Sequence, residues 1–431
     1  MRGLIARSIY RLLLPLLFIA AFPGWLVKML RRGGFGTRLG ERVAIYQDTP
    51  DFEPCGAVHI HAVSVGESLL ALKLIRAWLV RDPEQRFVLA VGTSTGHAVA
   101  SAAGVPQVRV TYSPLDFPSM VRRYFKRFEP AMLVLIEGEA WPHLLDACQK
   151  QNIPVSLVNA RMSPRSERRY RRFAEWVRPV FGKLDAVAIQ EPENRGIWND
   201  LGVPDARIHL TGSLKFDPGG SPPVRRAEFQ EMLDHFGPGR KVVLAASTHP
   251  GEDAWIAEAI REAAPDALPV IVPRHAERRD EVSADLTRAG FEVVRRSGFV
   301  RESTAPSANA VFLVDSTGEL RDWTAHADVV IIGKSFLSTG GQNPCEAILA
   351  SVPVICGPHM ENFEPLATRL TTAHACLRAD DPARLTSAIR KALDPESAAS
   401  LTREATALLA VHEAATGRIL DLLDGLKNAS K

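Results

Sequence analysis

The chain has 431 residues, of which 46% are hydrophobic and 23% are charged, and its formal net charge is +3 at pH 7. This composition provides enough apolar surface for two domains of ordinary size, and it excludes a disordered polyanion and a histone-like polycation. The five cysteines form no C-x-x-C pair and have no histidines at zinc-finger spacing. Their scatter favours reduced thiols in a cytosolic environment and argues against a structural metal site.

The first predicted element is the uncharged run at residues 12–27, LLLPLLFIAAFPGWLV, which has basic residues on both sides. Its roughly 16 residues fall short of the ~20 that a spanning helix requires, and Pro15, Pro23 and Gly24 interrupt it. A cleaved signal peptide and a buried core helix are two alternatives. The pattern favours a third, an uncleaved membrane anchor that spans the bilayer or lies in its interface.

Strand-like and helical patterns alternate along the rest of the chain. Six apolar runs precede residue 212: AVHIHAV, RFVLAVG, VRVTY, AMLVLIE, IPVSLVN and LDAVAIQ. Six more follow residue 240: KVVLAAS, LPVIVP, FEVVRR, NAVFLVD, ADVVIIG and VPVICG. Such strands separated by helices predict parallel sheets that are covered by helices on both faces. The Gly/Pro-rich stretch between the two series predicts an interdomain linker.

The sequence therefore predicts an α/β protein with two doubly wound domains that face each other across a cleft. The predicted boundaries are a membrane anchor at 1–32, an amino-terminal domain at 33–211, a linker at 212–240 and a carboxyl-terminal domain with terminal helices at 241–431. Folds of this kind bind ligands beyond the carboxyl ends of their strands, so the loops that follow the strands are expected to carry the chemistry.

Four loops of the second domain carry residue types that bind nucleotides. In GKSFLSTGGQNPCEAI, residues 333–348, the amides of Gly340 and Gly341 are expected to approach an anion, and Glu346 in the following helix to hold ribose hydroxyls. The other three loops are STHPGE, PRH and DSTGEL, with Ser247, Thr248, Arg274, His275, Gly318 and Glu319. Each loop alone fits a glycine turn, a helix cap or a surface arginine, but four at one edge of one sheet predict a nucleotide site.

The first domain has three loops of interest. Glu67, in HAVSVGES, is by itself more often a helix-start acid than a catalyst. Glu137 and Glu139, in EGEAWPH, precede a helix that is predicted to start at Trp141–Pro142. The stretch NARMSPRSERRYRR has six arginines and one glutamate, which fits either a solvated helix face or a site for an anionic lipid head group or phosphorylated acceptor. Nucleic acid is not an expected partner, since the overall net charge is small and the chain has no known nucleic-acid motif.

Ten motifs, in this order, resemble those of the 3-deoxy-D-manno-octulosonic acid (Kdo) transferases of lipopolysaccharide synthesis: HAVSVGES, TSTG, EGEAWP, NARMSPRS, GSLKFD, STHPGE, PRH, DSTGEL, GGQNPCEA and GPHMENF. The resemblance implies a GT-B glycosyltransferase with two Rossmann-like domains on the cytoplasmic face of the bacterial inner membrane. It implies inverting transfer of Kdo from CMP-Kdo to a tetraacylated, bis-phosphorylated lipid A precursor, with no cofactor and no bound metal.

The resemblance also implies roles for single residues. Glu67 is the expected general base, because the acceptor hydroxyl is too weak an acid to attack unaided. The expected donor-binding residues are Lys215, Ser247, Thr248, Arg274, His275, Gly318, Glu319, Gly340, Gly341, Asn343 and Glu346. Those expected to bind the acceptor are Glu137, Arg161, Arg165 and Ser166, and the basic segment RRGGFGTRLGER is expected to help hold acceptor phosphates.

Two positions depart from the family pattern. Lys334 stands where the family usually has the second glycine of Gly-Gly-Ser, and Gln342 stands where it usually has histidine before Asn343. Glutamine keeps a donor and an acceptor but cannot carry charge, so altered donor recognition is expected. Two alternatives remain: a nucleotide-sugar isomerase like the UDP-sugar 2-epimerases, which does not explain the anchor or the arginines, and a non-catalytic membrane-anchored relative.

Overall fold

The computed structural model describes residues 2–31, 38–46, 56–138, 140–217, 223–300 and 304–429. The chain forms two compact units, the first made of Met1–Asp217 with Val411–Lys431 and the second of Pro218–Ala410. The predicted Glu139 and residues 32–37 of the basic segment lie outside the described residues.

The first unit is built on a parallel sheet that has seven strands in its described part, in the order β3-β2-β1-β4-β5-β6-β7. The strands are β1 Val58–Ala62, β2 Phe87–Val91, β3 Val108–Tyr112, β4 Met132–Ile136, β5 Val155–Ala160, β6 Ala186–Ile189 and β7 Ile208–Leu210. The helices are α1 Arg2–Arg31, α2 Val65–Arg81, α3 Ser94–Ala102, α4 Pro118–Phe128, α5 Pro142–Lys150, α6 Pro164–Arg172, α7 Ala174–Phe181, α8 Arg195–Asp200 and, at the end of the chain, α17 Ala415–Ala429.

Alternate side chains of one strand enter different cores of the first unit. In β2, Val88 and Ala90 belong to one buried cluster, whereas Phe87 and Leu89 belong to another. A strand of this kind is apolar at every position because successive side chains point to opposite faces of the sheet and helices cover both. This is why all six predicted runs of the first series are strands in the structure.

The second unit has a parallel sheet of the order β10-β11-β9-β8-β12-β13-β14 in its described residues. The strands are β8 Val242–Thr248, β9 Leu268–Pro273, β10 Glu292–Arg295, β11 Ala310–Leu313, β12 Val329–Ile332, β13 Val354–Cys356 and β14 Leu377–Arg378. The helices are α9 Ala227–Asp234, α10 Asp253–Ala263, α11 Arg279–Arg288, α12 Leu320–Thr324, α13 Cys345–Leu349, α14 Leu366–Thr372, α15 Pro382–Leu393 and α16 Pro395–Leu409.

Two predicted boundaries differ from the structure. The placement of the last helix in the second domain is wrong, because Ile419, Leu420 and Leu423 of α17 are buried in the core of the first unit. The predicted linker at 212–240 is too long, since α9 lies within it and packs in the second unit. The ring of Phe229 in α9 stacks on that of Trp323 in α12, with centroids 3.8 Å apart.

Helix α1 contains the predicted anchor and is continuous, although the sequence predicts interruptions at Pro15 and Pro23. The hydroxyl of Tyr10 donates to Asp116 Oδ2 at 2.9 Å, which ties the helix to the first unit. On its outer side Leu12 is 73% exposed and Ile19 is 67% exposed. None of the helices in the described residues combines the length and the apolarity that crossing a membrane requires.

Candidate functional site

Each sheet has a switch point beside the first strand of its unit, where the strand order reverses. The order reverses between β1 and β4 in the first unit and between β8 and β12 in the second. Doubly wound sheets bind ligands outside the carboxyl ends of their strands at such a switch point. Glu67 follows β1 and Glu137 follows β4, while Ser247 lies in the last two residues of β8 and Lys334 follows β12. The loops with the predicted site residues thus include both loops at each switch point.

Glu67 lies in the first turn of α2, which begins after the N-cap residue Ser64. The backbone N–H of Glu67 donates to Ser64 Oγ at 3.2 Å, and the Ser64 hydroxyl donates back to Glu67 Oε1 at 2.8 Å. The N–H of Val63 donates to Oε2 at 2.8 Å. Glu67 is therefore a helix-start acid, and the same bonds fix its carboxylate at the end of β1. A carboxylate has about four acceptor positions, so two accepted bonds leave capacity for a ligand.

Asn159, which the sequence reasoning did not single out, organises the neighbouring loops. It is 1% exposed and has a φ of +54° at an irregularity in the pairing of β5 with β6. Its Nδ2 donates to Glu137 Oε1 at 3.3 Å, and its Oδ1 accepts the N–H of Leu214 at 2.9 Å. The sequence offers only a weak signal for this role of Asn159. Asparagine is enriched among residues with left-handed backbone conformation, and β-bulges are over-represented next to active sites. Asn159 joins the Glu137 loop to the segment that carries Lys215.

Four of the predicted residues in the first unit share one electrostatic environment. Burial raises the pKa of Glu137, and the charge of Glu67 raises it further, whereas Arg161 and Lys215 lower it. Glu67, Arg161 and Lys215, which are far apart in the sequence, are thus all near enough to Glu137 to act on its charge. Lys215 is placed here with the predicted acceptor residues, so its predicted role in donor binding stays a prediction.

The predicted arginine patch lies on α6 and just before it. Arg161 and Arg165 are exposed. Arg171 pairs with Glu167 at 3.1 Å and with Asp200 at 3.0 Å, so Glu167 is not the only acid that faces the patch. Ser166 has a local role, because its N–H donates to the N-cap Ser163 Oγ at 3.2 Å and its hydroxyl contacts the same atom at 3.1 Å.

In the second unit, Glu252 joins the two switch-point loops. The Glu252 side chain is fully buried. Glu252 is the last residue of the STHPGE motif, and the sequence pattern predicted no role for it. Its Oε2 accepts the N–H of His249 at 2.9 Å and that of Lys334 at 2.7 Å, and its Oε1 accepts the N–H of Phe336 at 3.3 Å. One carboxylate therefore holds the loop after β8 against the loop after β12.

The glycine loop has a different structural role from the predicted one. The N–H of Gly340 donates to Glu361 Oε2 at 2.6 Å, and the N–H of Gly341 donates to the carbonyl of Lys334 at 3.3 Å. Both amides therefore already have acceptors within the chain, and their predicted contact with an anion is not available in this conformation. A Cβ on Gly341 would lie 2.5 Å from the sulfur of Met360, so close packing requires the glycine.

Both departures from the family pattern lie beside His249. Lys334 has a φ of +57°, a left-handed conformation that favours glycine, which is the residue expected here from the resemblance. Gln342 Nε2 lies 3.3 Å from His249 Nε2. Burial lowers the pKa of His249 and Glu252 raises it, while Lys334, Arg278 and His275 lower it further, so that the pKa lies below its usual value. A neutral imidazole accepts the hydrogen bond from the Gln342 amide.

Three predicted donor residues lie in the same part of the second unit as His249, namely Ser247, Thr248 and Arg274. Ser247 has a φ of +57° where the pairing of β8 with β9 is irregular, and the carbonyl of Thr248 accepts the N–H of Arg274 at 3.0 Å. The Thr248 hydroxyl donates to the buried Asp253. Arg274 and His275 are exposed, and within the described residues the Arg274 guanidinium has no side-chain partner. The Arg274 guanidinium is thus placed to meet an anion.

The remaining predicted donor residues lie around α12 and α13. The Ser316 hydroxyl donates to Glu319, and Arg296 pairs with Glu319 at 3.3 Å. Asn343 Oδ1 accepts the N–H of Cys345 at 3.1 Å. Burial raises the pKa of Glu346, while Arg321 lowers it. Among the described residues, no hydrogen bond joins this second set of predicted donor residues to His249, Lys334 or Gln342. The second set is Gly318, Glu319, Asn343 and Glu346.

The fold defines the class of this protein. The UDP-GlcNAc 2-epimerase from Neisseria meningitidis, solved with UDP-GlcNAc, aligns over 85% of this chain and 100% of its own, with a TM-score of 0.53 and 12% identity. A likeness at that identity concerns the fold alone. The two doubly wound units are those of a GT-B protein, which confirms the predicted fold class.

The sequence comparisons define the family. A family model described as 3-deoxy-D-manno-octulosonic-acid transferase matches residues 37–218. The 3-deoxy-D-manno-octulosonic acid transferase of Bordetella pertussis is 36% identical over 97% of this chain and 99% of its own. That of Haemophilus influenzae is 31% identical over 90% of each chain. The chain belongs to the Kdo transferase family and is a glycosyltransferase.

Proposed function

We propose that this chain transfers Kdo from CMP-Kdo to a tetraacylated, bis-phosphorylated lipid A precursor, with inversion of the anomeric centre, as a step of lipopolysaccharide synthesis. Similarity to curated Kdo transferases over nearly the whole length of both chains supports the sugar and the reaction class. The proposed reaction uses no cofactor and no bound metal, because the proposed base and the proposed cations are side chains of this chain.

The position of Glu67 carries the proposed mechanism. The acceptor hydroxyl must lose its proton as it attacks the anomeric carbon, and a positioned carboxylate takes that proton. Glu67 suits this role because the Ser64 hydroxyl and the Val63 amide hold its carboxylate in one place at the switch point of the first sheet. Glu137 is proposed to bind the acceptor, because it follows the neighbouring strand β4 and Asn159 donates to one of its oxygens.

The leaving group is CMP, whose phosphate gains negative charge as the sugar departs. Preorganised cations stabilise such charge most strongly where water is excluded. Arg274 is proposed for this role because its guanidinium is exposed and has no side-chain partner in the described residues. Lys334 follows the switch-point strand of the same unit and adds a second cation. Ser247, Thr248, His275, Gly318, Glu319, Asn343 and Glu346 complete the proposed donor site.

The proposed place of action is the cytoplasmic face of the bacterial inner membrane. Helix α1 presents exposed apolar side chains, and α6 and the residues before it present exposed arginines. Apolar side chains insert into the acyl boundary of a bilayer, while cations bind its phosphates. Arg161, Arg165 and Ser166 are proposed to bind the acceptor on this side.

The proposal is tested by incubating the purified full-length protein with CMP-Kdo and the lipid A precursor, and by analysing the product by mass. Glu67→Ala and Glu67→Gln should lower turnover by about 10²–10⁴-fold, the usual contribution of a general base, and leave CMP affinity within about twofold. Glu84→Gln is the control, because Glu84 is an exposed glutamate of the same unit. CMP binding without any transfer by the wild-type protein would refute the proposed reaction. Turnover of Glu67→Gln within tenfold of wild type would remove Glu67 from the role of base.

A further inference from the structure

A cavity of about 460 Å³ lies in the first unit between α1, the start of α5 and α7. Its walls are apolar apart from Tyr10 and Lys183, and they include Leu13, Pro142 and Trp176. The volume falls in the range of sites that hold small ligands, about 300–1,000 Å³. The cavity is therefore large enough for a ligand of its own, outside the residues assigned above.

The chemistry of the walls selects an apolar ligand. The Tyr10 hydroxyl already donates to Asp116 Oδ2 at 2.9 Å, and Lys183 pairs with Asp146. Each of the two polar side chains thus already binds an acidic residue of the protein. At the rim, Leu13 and Trp176 are each 46% exposed, which leaves large apolar side chains in contact with water. Exposed apolar surface around a cavity marks a binding site.

The surroundings of the cavity indicate that the ligand also carries negative charge. Helix α6 ends at Arg172, and Phe173 directly after it is part of the cavity wall. The Arg172 guanidinium lies 5.8 Å from the centre of the Phe173 ring, so the basic patch and the apolar wall adjoin. An apolar cavity beside exposed arginines fits an amphiphile, with its chain in the cavity and its anionic group on α6.

The position of the cavity relates it to the candidate active site. Pro142, in its wall, is the first residue of α5 and follows the β4 loop that carries Glu137. The arginines beside it follow β5, the neighbouring strand of the same sheet. A chain held in this cavity thus belongs to a molecule whose head group can reach the carboxyl ends of β4 and β5.

We propose that the cavity holds one acyl chain of the lipid acceptor while the arginines of α6 bind its phosphate. This inference rests on the proposed function, and it makes the cavity a determinant of acyl-chain length. Burial of a methylene contributes about 0.8 kcal/mol, so shortening the held chain by two carbons should weaken acceptor binding about 15-fold.

The test uses full-length protein in phospholipid nanodiscs and a lipid A precursor that carries a photoreactive diazirine at the end of one acyl chain. Val177 lines the cavity, and Val177→Trp narrows it; Val180→Phe is a smaller change of the same kind in case the first variant does not fold. Val80→Trp is the matched control, because Val80 of α2 is 84% exposed in the same unit. Mass spectrometry of the labelled peptides should find adducts in residues 9–13 and 173–180. The adducts should be lost in the two cavity variants and kept in the control.

Three results would overturn the inference. Labelling outside these two segments, or equal labelling in Val177→Trp, means that no acyl chain occupies the cavity. If an excess of unlabelled phosphatidylethanolamine abolishes the labelling, then bulk lipid occupies the cavity and the acceptor does not.

Kinetics separate this inference from the proposed reaction. The KM for the tetraacylated acceptor should rise at least tenfold in Val177→Trp, while the kinetic constants for an acceptor without acyl chains stay within twofold of wild type. Sugar transfer with an unchanged KM for the tetraacylated acceptor would refute the cavity assignment alone. Labelling in the cavity without any sugar transfer by the wild-type protein would refute the proposed reaction and leave the lipid site standing.

Discussion

Glu252 is the residue whose replacement best tests how the loops of the second unit are held together. Its buried carboxylate accepts backbone N–H groups from His249, Lys334 and Phe336, at 2.9, 2.7 and 3.3 Å. A hydrogen bond to a charged group contributes about 1.5–3 kcal/mol, and a buried donor without an acceptor costs about 1–3 kcal/mol. Because Glu252→Ala removes all three acceptors, we expect the free energy of unfolding of the second unit to fall by about 4 kcal/mol.

Glu252→Gln should have an intermediate effect. The amide oxygen can replace Oε2 and keep the bonds from His249 and Lys334, although without the charge. The amide nitrogen then faces the N–H of Phe336, and two donors cannot bond. We expect a loss of about 2 kcal/mol. Glu258→Ala is the control, because Glu258 is an exposed glutamate of α10, the helix that begins directly after Glu252, and its replacement should change stability by less than about 0.5 kcal/mol.

Urea unfolding, with hydrogen exchange of the peptides around residues 334–336 as a local probe, measures these differences. Exchange at Lys334 and Phe336 should accelerate in both Glu252 variants, and CMP affinity should fall with it, because the loops after β8 and β12 separate. If Glu252→Ala lies within about 1 kcal/mol of Glu258→Ala, the three bonds contribute far less than a buried charged acceptor should, and the reasoning fails.

Three further predictions concern single side chains. Arg274→Ala should weaken CMP binding at least tenfold in a calorimetric titration, because it removes the exposed guanidinium that is proposed to bind the phosphate. If its affinity for CMP equals that of the control Arg279→Ala, Arg274 does not belong to the donor site. Glu137→Gln should raise the melting temperature of the first unit at pH 8 and leave it unchanged near pH 4. Burial and Glu67 raise the pKa of Glu137, so its ionisation destabilises the fold as the pH rises through that pKa, and glutamine does not ionise; a gain that grows as the pH falls would contradict this. Gly341→Ala should destabilise the second unit by about 1–3 kcal/mol, because φ is +65° and the new Cβ would lie 2.5 Å from the Met360 sulfur; an unchanged urea midpoint would show that the loop can move aside.

The strands were the most predictable part of the fold. All twelve runs that the sequence predicts are strands, because most stay apolar over several consecutive residues and the others are rich in β-branched residues. The strands β7 and β14 were missed, since they have 3 and 2 residues and lie at the edges of their sheets. Segments so short show no hydrophobic period. Their pairing with β6 and β13 is what makes them strands.

The glycine loop shows the limit of motif-based reasoning. Two adjacent glycines indicate that the backbone needs freedom, and both have positive φ angles. The sequence does not tell which groups their amides bind. Glu361, which accepts the N–H of Gly340, lies 21 residues further along the chain. The close approach of these two segments depends on the packing of the whole unit.

The sequence by itself determined what arises from neighbouring residues. This includes the apolar strands, the family motifs and the place of Glu67 in the first turn of α2, since the Ser64 cap acts over three residues. The tertiary structure decided the surroundings of Glu67. Glu137 comes from another loop and approaches Glu67 because β1 pairs with β4, and Arg161, which also acts on Glu137, follows β5, the strand that pairs with β4. It also decided that α17 returns to the first unit, because the apolar side of that helix is buried only against that core. Strand order and helix packing are long-range choices, which local sequence signals do not encode.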